Sequence, residues 1–165
     1  MIERVNKDNL AEYEEFIKRH PKGLFQHSSK WAKVKSNWKW EAIMLKDKNG
    51  EIKGSAAALI RFVPVIKYSL FYICRGFVAD ENDFETFDAL FDGIKQLAKE
   101  YKAYCIKIDP EIVVQNTAYK QHLIEKGFKE LNPGCLDFEN VQPRFVYCFD
   151  YNDNGYFRNR FLFDI

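Results

Sequence analysis

The 165 residues, 47 % hydrophobic and 16 % aromatic, suffice for one domain with a packed core, which excludes a disordered chain. With 25 basic against 24 acidic residues the net charge is +1, so no global field draws the chain onto nucleic acid or a lipid surface. Cys74, Cys105, Cys135 and Cys148 form no C-x-x-C pair and read as buried reduced thiols, and His20, His27 and His122 are too scattered for a zinc site.

In chain order, the N-terminus does not read as a signal peptide, and no apolar run reaches membrane length. A cytoplasmic protein without membrane insertion is therefore expected. Ile2 to Val5 reads as a short strand. A helix then starts near Asp8 or Asn9, with Glu12 placed to cap it and Leu10, Tyr13, Phe16 and Ile17 on one face. His20-Pro21-Lys22-Gly23 ends that helix. A shorter one follows Ser28-Ser29, which read as its cap, with Trp31 and Val34 facing inward. Glu41 to Lys46 and Glu51 to about Val63 are strands joined by Asp47-Lys48-Asn49-Gly50, where Asn-Gly suits a tight turn. Tyr68 to Cys74 is apolar on both faces, as a central strand would be.

The strongest periodicity lies between Phe84 and Tyr101, capped by Asn82, with a stripe that includes Phe87, Leu90, Phe91, Ile94 and Leu97. Ala103 to Ile108 is a strand ended by Asp109-Pro110, and a helix over 117–126 ends at Gly127. Strands continue to about Tyr151. Helices between strands require crossover connections, so the order predicts an α/β fold, a mixed twisted sheet flanked by helices.

No G-x-S-x-G elbow, Walker loop or G-x-G-x-x-G is present, so covalent nucleophile and phosphate-loop chemistries have no support. Three polar sets sit at element ends. Lys35, one turn beyond Trp31 and close to Trp38, offers charge for phosphate beside a flat aromatic face. A solvated lysine beside core tryptophans is the alternative. Arg75 follows an apolar strand and precedes Gly76, and could fork onto a carboxylate or phosphate; an ion pair at the sheet edge is its alternative. Asp109 stands at a strand carboxyl end, where ligands of α/β sheets gather, or else only stabilises the turn before Pro110.

Five short motifs occur in one order. They are Gln26 with Trp31 and Lys35; Tyr72-x-x-Arg75-Gly76; Asp109-Pro110; Gly127-Phe128; and Gln142-Pro143-Arg144. Together they resemble the Fem (FemAB) family of peptidoglycan bridge aminoacyltransferases. The resemblance implies a fold like that of the GNAT acyltransferases over residues 1–151, with an atypical tail over 152–165. It implies transfer of an amino acid from aminoacyl-tRNA to the stem peptide of UDP-MurNAc-pentapeptide or lipid II. By the same resemblance, Lys35 contacts precursor phosphate, Asp109 is the catalytic residue near the acceptor groove, and Trp38 and Arg75 bind substrate. A tRNA ester is already activated, so alignment, proton removal and oxyanion stabilisation suffice, and no cofactor or metal is expected. Family members carry a second domain, so a homodimer or a separate second half is expected to complete the enzyme. A catalytically silent binding module for a cell-wall precursor is the other reading.

Overall fold

The computed structural model describes residues 1–64, 67–113, 115–130, 145–151 and 157–163, the last two ranges as backbone only. It divides into two compact units, Met1–Ile108 and Asp109–Ile165.

The first unit is built on a five-stranded sheet in the order β1 (Ile2–Arg4), β2 (Lys39–Lys46), β3 (Ile52–Phe62), β4 (Ser69–Ile73), β5 (Ala103–Ile108). The first three pairings are antiparallel, and β4–β5 is parallel. That parallel pair requires a crossover, supplied by α3 (Phe84–Glu100). The sheet is therefore mixed, as the element order predicts.

The alternation along β2 assigns the two faces. Ala42 and Met44 cluster with Tyr13 and Ile17 of α1 (Leu10–Arg19). Ile43 points the other way, where its Cδ1 stands 2.7 Å from the place a Cβ on Gly93 of α3 would take. Gly54 of β3 admits α3 in the same manner, since a Cβ there would meet Thr86 at 2.7 Å. The predicted stripe of α3 is buried at Phe87, Leu90, Phe91, Ile94 and Leu97. Each such side chain contributes roughly 1.5–3 kcal/mol when fully removed from water.

Several local expectations differ from the structure. The cap of α3 is Asp83 rather than Asn82: its Oδ1 accepts from Thr86 N at 3.0 Å and its Oδ2 from Thr86 Oγ1 at 2.7 Å. Asp83→Ala removes both bonds and is expected to cost about 1 kcal/mol in a denaturant melt; an unchanged midpoint would show that the helix start needs no side-chain cap. Glu12 does not cap α1 but pairs with Lys46 at 2.7 Å. Val34 of the four-residue α2 (Trp31–Val34) is 66 % exposed rather than inward-facing. Cys74 is buried as expected, but Cys105 is exposed on β5, which ends the sheet. In the β2–β3 turn the positive φ falls on Gly50 (86°), while Asp47 Oδ1 accepts from the N–H groups of Asn49 and Glu51.

In the second unit, α4 (Thr117–Glu125) is capped by Asn116, whose side chain accepts from Tyr119 N at 3.1 Å. It ends at Gly127 (φ 88°), with Phe128 N donating to Leu123 O at 3.0 Å, a Schellman closure. β6 (Phe145–Tyr151) pairs antiparallel with β7 (Phe157–Phe163). Gln142, Pro143, Arg144 and Cys135 lie outside the described residues.

Candidate functional site

The segment between α1 and β2 is fixed from below by consecutive residues of α1. Gly23 N donates to His20 O at 2.8 Å, folding the chain back over the helix end. Tyr13 Oη donates to His27 O at 2.7 Å. Glu14 Oε2 accepts from Ser28 Oγ and Oε1 from Ser29 N, both at 2.7 Å. Burial alone would push the Glu14 carboxyl up, but the bonds from Ser29 and Ser28 outweigh it and hold it below the ordinary carboxylate range. Ser28 was expected as a helix cap; it accepts from Lys30 N at 3.1 Å and spends its proton on Glu14.

His27 is 1 % exposed within a short 3-10 turn, Phe25–His27. Its Nδ1 accepts from Leu24 N at 3.0 Å, which leaves the proton of the neutral ring on Nε2. Burial pulls the imidazole down to about 4, opposed in part by the backbone of Gly76, Cys74 and Leu24. The ring therefore stands neutral against the turn that carries Arg75, although its Nε2 makes no well-formed hydrogen bond among the described residues.

Lys35 follows α2, and its ammonium lies 5.4 Å from the centroid of the Trp31 ring. Phe25 meets the same indole edge-on at 5.1 Å. Trp38 N donates to Lys35 O at 2.8 Å, so Lys35 and Trp38 share one turn before β2. Trp38 lies 6.4 Å from Tyr72 of β4, and the Arg61 guanidinium lies 5.7 Å from its ring. Arg75 ends the β4 exit turn with φ 59°, followed by Gly76 at 80°. A left-handed arginine costs about 1–2 kcal/mol, so the surroundings hold this backbone against its preference.

Two of the three sequence-predicted sets thus lie on neighbouring elements. Trp38 touches Tyr72, three residues before Arg75, and His27 stands beside Cys74 and Gly76. Asp109 is the first residue of the second unit and follows Ile108, which pairs with Ile73 across the parallel strands. A cleft of about 410 Å³ opens elsewhere, between α1 and the following segment, lined by Glu14, Lys18, Gly23, Phe25 and Lys30 among others. It includes none of Lys35, Trp38 or Arg75. Sequence reasoning missed Tyr13, Glu14, His27 and Arg61. Arg61 shows in the sequence only as a charge directly after the apolar run Ala56 to Ile60, which does not point to Trp38.

The FemAB family model matches residues 9–134. The chain belongs to the FemAB family. Over 147 residues it is 38 % identical to lipid II:glycine glycyltransferase of Staphylococcus epidermidis and 40 % identical to that of a bovine strain of Staphylococcus aureus. These alignments cover 87 % of the chain but only 35 % and 34 % of the relatives, so it spans about a third of the curated relatives it matches. Among solved structures it is similar to FemX, with a TM-score of 0.71 and 37 % identity over 88 % of this chain and 37 % of that one. A probable acetyltransferase aligns with a TM-score of 0.60 at 13 % identity, covering 86 % of this chain and 98 % of its own. That likeness carries the fold, and the FemAB chain has the GNAT-like architecture that its motifs implied.

Proposed function

We propose that this FemAB chain is the precursor-binding part of a cytoplasmic aminoacyltransferase that lengthens a peptidoglycan stem peptide. The observation that carries the reading is the cation–aromatic set on neighbouring elements: Lys35 over Trp31, and Trp38 against Tyr72 of the strand that leads to Arg75. An ammonium and a guanidinium suit the phosphates of a nucleotide- or lipid-linked sugar, and the indole faces suit its rings. The names of the relatives support a lipid II acceptor and a glycyl donor, and UDP-MurNAc-pentapeptide presents the same stem on a soluble carrier.

In this reaction the stem amine attacks the ester carbonyl of aminoacyl-tRNA. A C–N bond forms, the C–O bond to the tRNA ribose breaks, and the ribose hydroxyl leaves with a proton. Asp109 is the group proposed to take the proton from the amine. The second reading is a catalytically silent module that binds a cell-wall precursor. Transfer from charged tRNA by the purified chain alone would exclude that reading.

Calorimetry with UDP-MurNAc-pentapeptide tests the site. The wild-type chain is expected to bind, and Lys35→Ala to bind about tenfold or more weakly, the worth of one charge-assisted contact. Equal affinities would remove Lys35 from the phosphate.

A further inference from the structure

At the end of the sheet where β3 meets β4, three aromatic side chains stand in solvent. Phe62 and Tyr68 are each 53 % exposed and Tyr104 is 61 % exposed. Their backbones are bound together rather than loose. Val63 N donates to Tyr68 O at 3.0 Å, and Ser69 N donates to Lys102 O at 3.2 Å. Ser69 Oγ also donates to Tyr101 O at 2.8 Å, tying the start of β4 to the α3–β5 turn.

At this end the first unit exposes Lys67 and Lys102 next to the aromatics along the chain, Lys99 in the last turn of α3, and Arg61, which lies over Trp38 on the opposite face of β3 from Phe62. The exposed acid beside them, Glu100, is paired with Arg4 at 3.2 Å. The whole chain is nearly neutral, so this concentration of positive charge is local. Its attraction acts within the Debye length, about 8 Å at physiological salt.

We propose that this end of the sheet docks on the surface of an anionic lipid bilayer. Composition separates a bilayer from a protein partner. Lysine is depleted at protein interfaces, yet three of the four cations here are lysines. Beside an anionic membrane each such lysine strengthens binding, and rings with polar tips, such as Tyr68 and Tyr104, favour the headgroup layer. Among the described residues no helix is long and apolar enough to cross a membrane, so the contact is peripheral.

The register sets the height of the candidate site above that surface. Phe62 pairs with Ser69, and Leu59 pairs with Tyr72, which Trp38 touches. Three residues of strand separate them, roughly 10 Å. Docking would hold the Lys35–Trp38 turn close to a lipid headgroup and favour a lipid-linked acceptor over a soluble one. That choice of acceptor rests on the transferase reading; the docking does not, because vesicles free of precursor test it.

The full chain is sedimented with vesicles of phosphatidylcholine, and with vesicles in which phosphatidylglycerol replaces part of it. Binding is expected only to the anionic vesicles, and it should weaken as salt is raised. Each exposed lysine contributes about five-fold, so Lys67→Gln with Lys102→Gln should weaken binding about 25-fold. Phe62→Ser with Tyr68→Ser should weaken it as well. If that aromatic pair fails to fold, the lysine pair, which removes no buried contact, decides alone. No binding to anionic vesicles at low salt overturns the proposal, and so does equal binding by the lysine variant. An oligomer seen by light scattering in the wild-type chain and lost in the aromatic variant would assign the face to a second copy and overturn it too.

Discussion

Gly23→Ala is expected to cost about 3 kcal/mol of stability, at the upper end of what overpacking exacts. A Cβ on Gly23 would stand 1.7 Å from Ile17 O, 2.8 Å from Ile17 C and 3.0 Å from His20 O. All three are backbone atoms at the end of α1, so no side chain can swing aside. The loop must lift instead, and it is held downstream by Tyr13 and Glu14 through His27, Ser28 and Ser29. Lifting it also endangers the bond from Gly23 N to His20 O. Gly50→Ala is the matching control. Gly50 has open space around its Cβ position but a φ of 86°, so its cost is conformational, about 1 kcal/mol. Denaturant melts of the two variants separate crowding from backbone preference. Equal losses would mean that the segment after α1 is free to move. Because that segment leads to Trp31 and Lys35, Gly23→Ala should also weaken precursor binding, whereas Gly50→Ala should not.

The contrast between these glycines also shows what could be read from residues alone. Asn49-Gly50 announces its turn, since local chemistry decides it. Gly23 reads only as a helix stop, because its crowding depends on how the chain doubles back. The same division runs through the fold. α3 was legible from its stripe, since a seventeen-residue helix samples every face several times. α2, with four residues, offers no periodicity, and Val34 was placed inward although it is exposed. Cys105 sits in an apolar run, yet its exposure follows from strand order, which no run of residues encodes. Among the candidate site residues, Lys35 and Arg75 fall in short motifs, and Trp38 stands three residues after the first of them. Arg61 beside Trp38 was not legible, because that contact depends on how β3 lies against the start of β2. His27 looked like a stray histidine, and only its burial against the Cys74–Gly76 turn shows that it joins two motif segments.

Glu41→Gln is expected to destabilise the chain by about 2 kcal/mol at neutral pH, and the difference should vanish in acid. Glu41 is 9 % exposed at the start of β2 and gathers three groups, from β1, from β2 itself and from the end of α3. Arg4 of β1 donates through Nε to Oε2 at 3.0 Å, and its Nη2 lies 2.8 Å from Oε1. Lys39 stands 3.1 Å from Oε1, and Tyr101, at the end of α3, donates its hydroxyl to the same oxygen while accepting from Arg4 at 2.8 Å. Removing one member of a buried pair costs roughly 3–5 kcal/mol. Here the Arg4 side chain is 44 % exposed, so water screens the charge left behind and the cost falls below that range, to about 2 kcal/mol. Burial alone would raise the Glu41 carboxyl, but the bonds from Arg4, Tyr101 and Lys39 outweigh it and hold it below its ordinary value near 4.5. A carboxyl depressed in the folded state contributes stability above its unfolded value and loses it as pH falls through the folded one. Arg4 is held more firmly protonated than usual by Glu41 and does not titrate in this window. Wild-type stability should therefore fall toward that of Glu41→Gln as the pH drops below the ordinary carboxylate range. Melts of both chains across that range would show two converging curves. Parallel curves would mean that the carboxylate contributes no charge-dependent stability, and that backbone pairing of β1 with β2 and the packing of α3 suffice to join them.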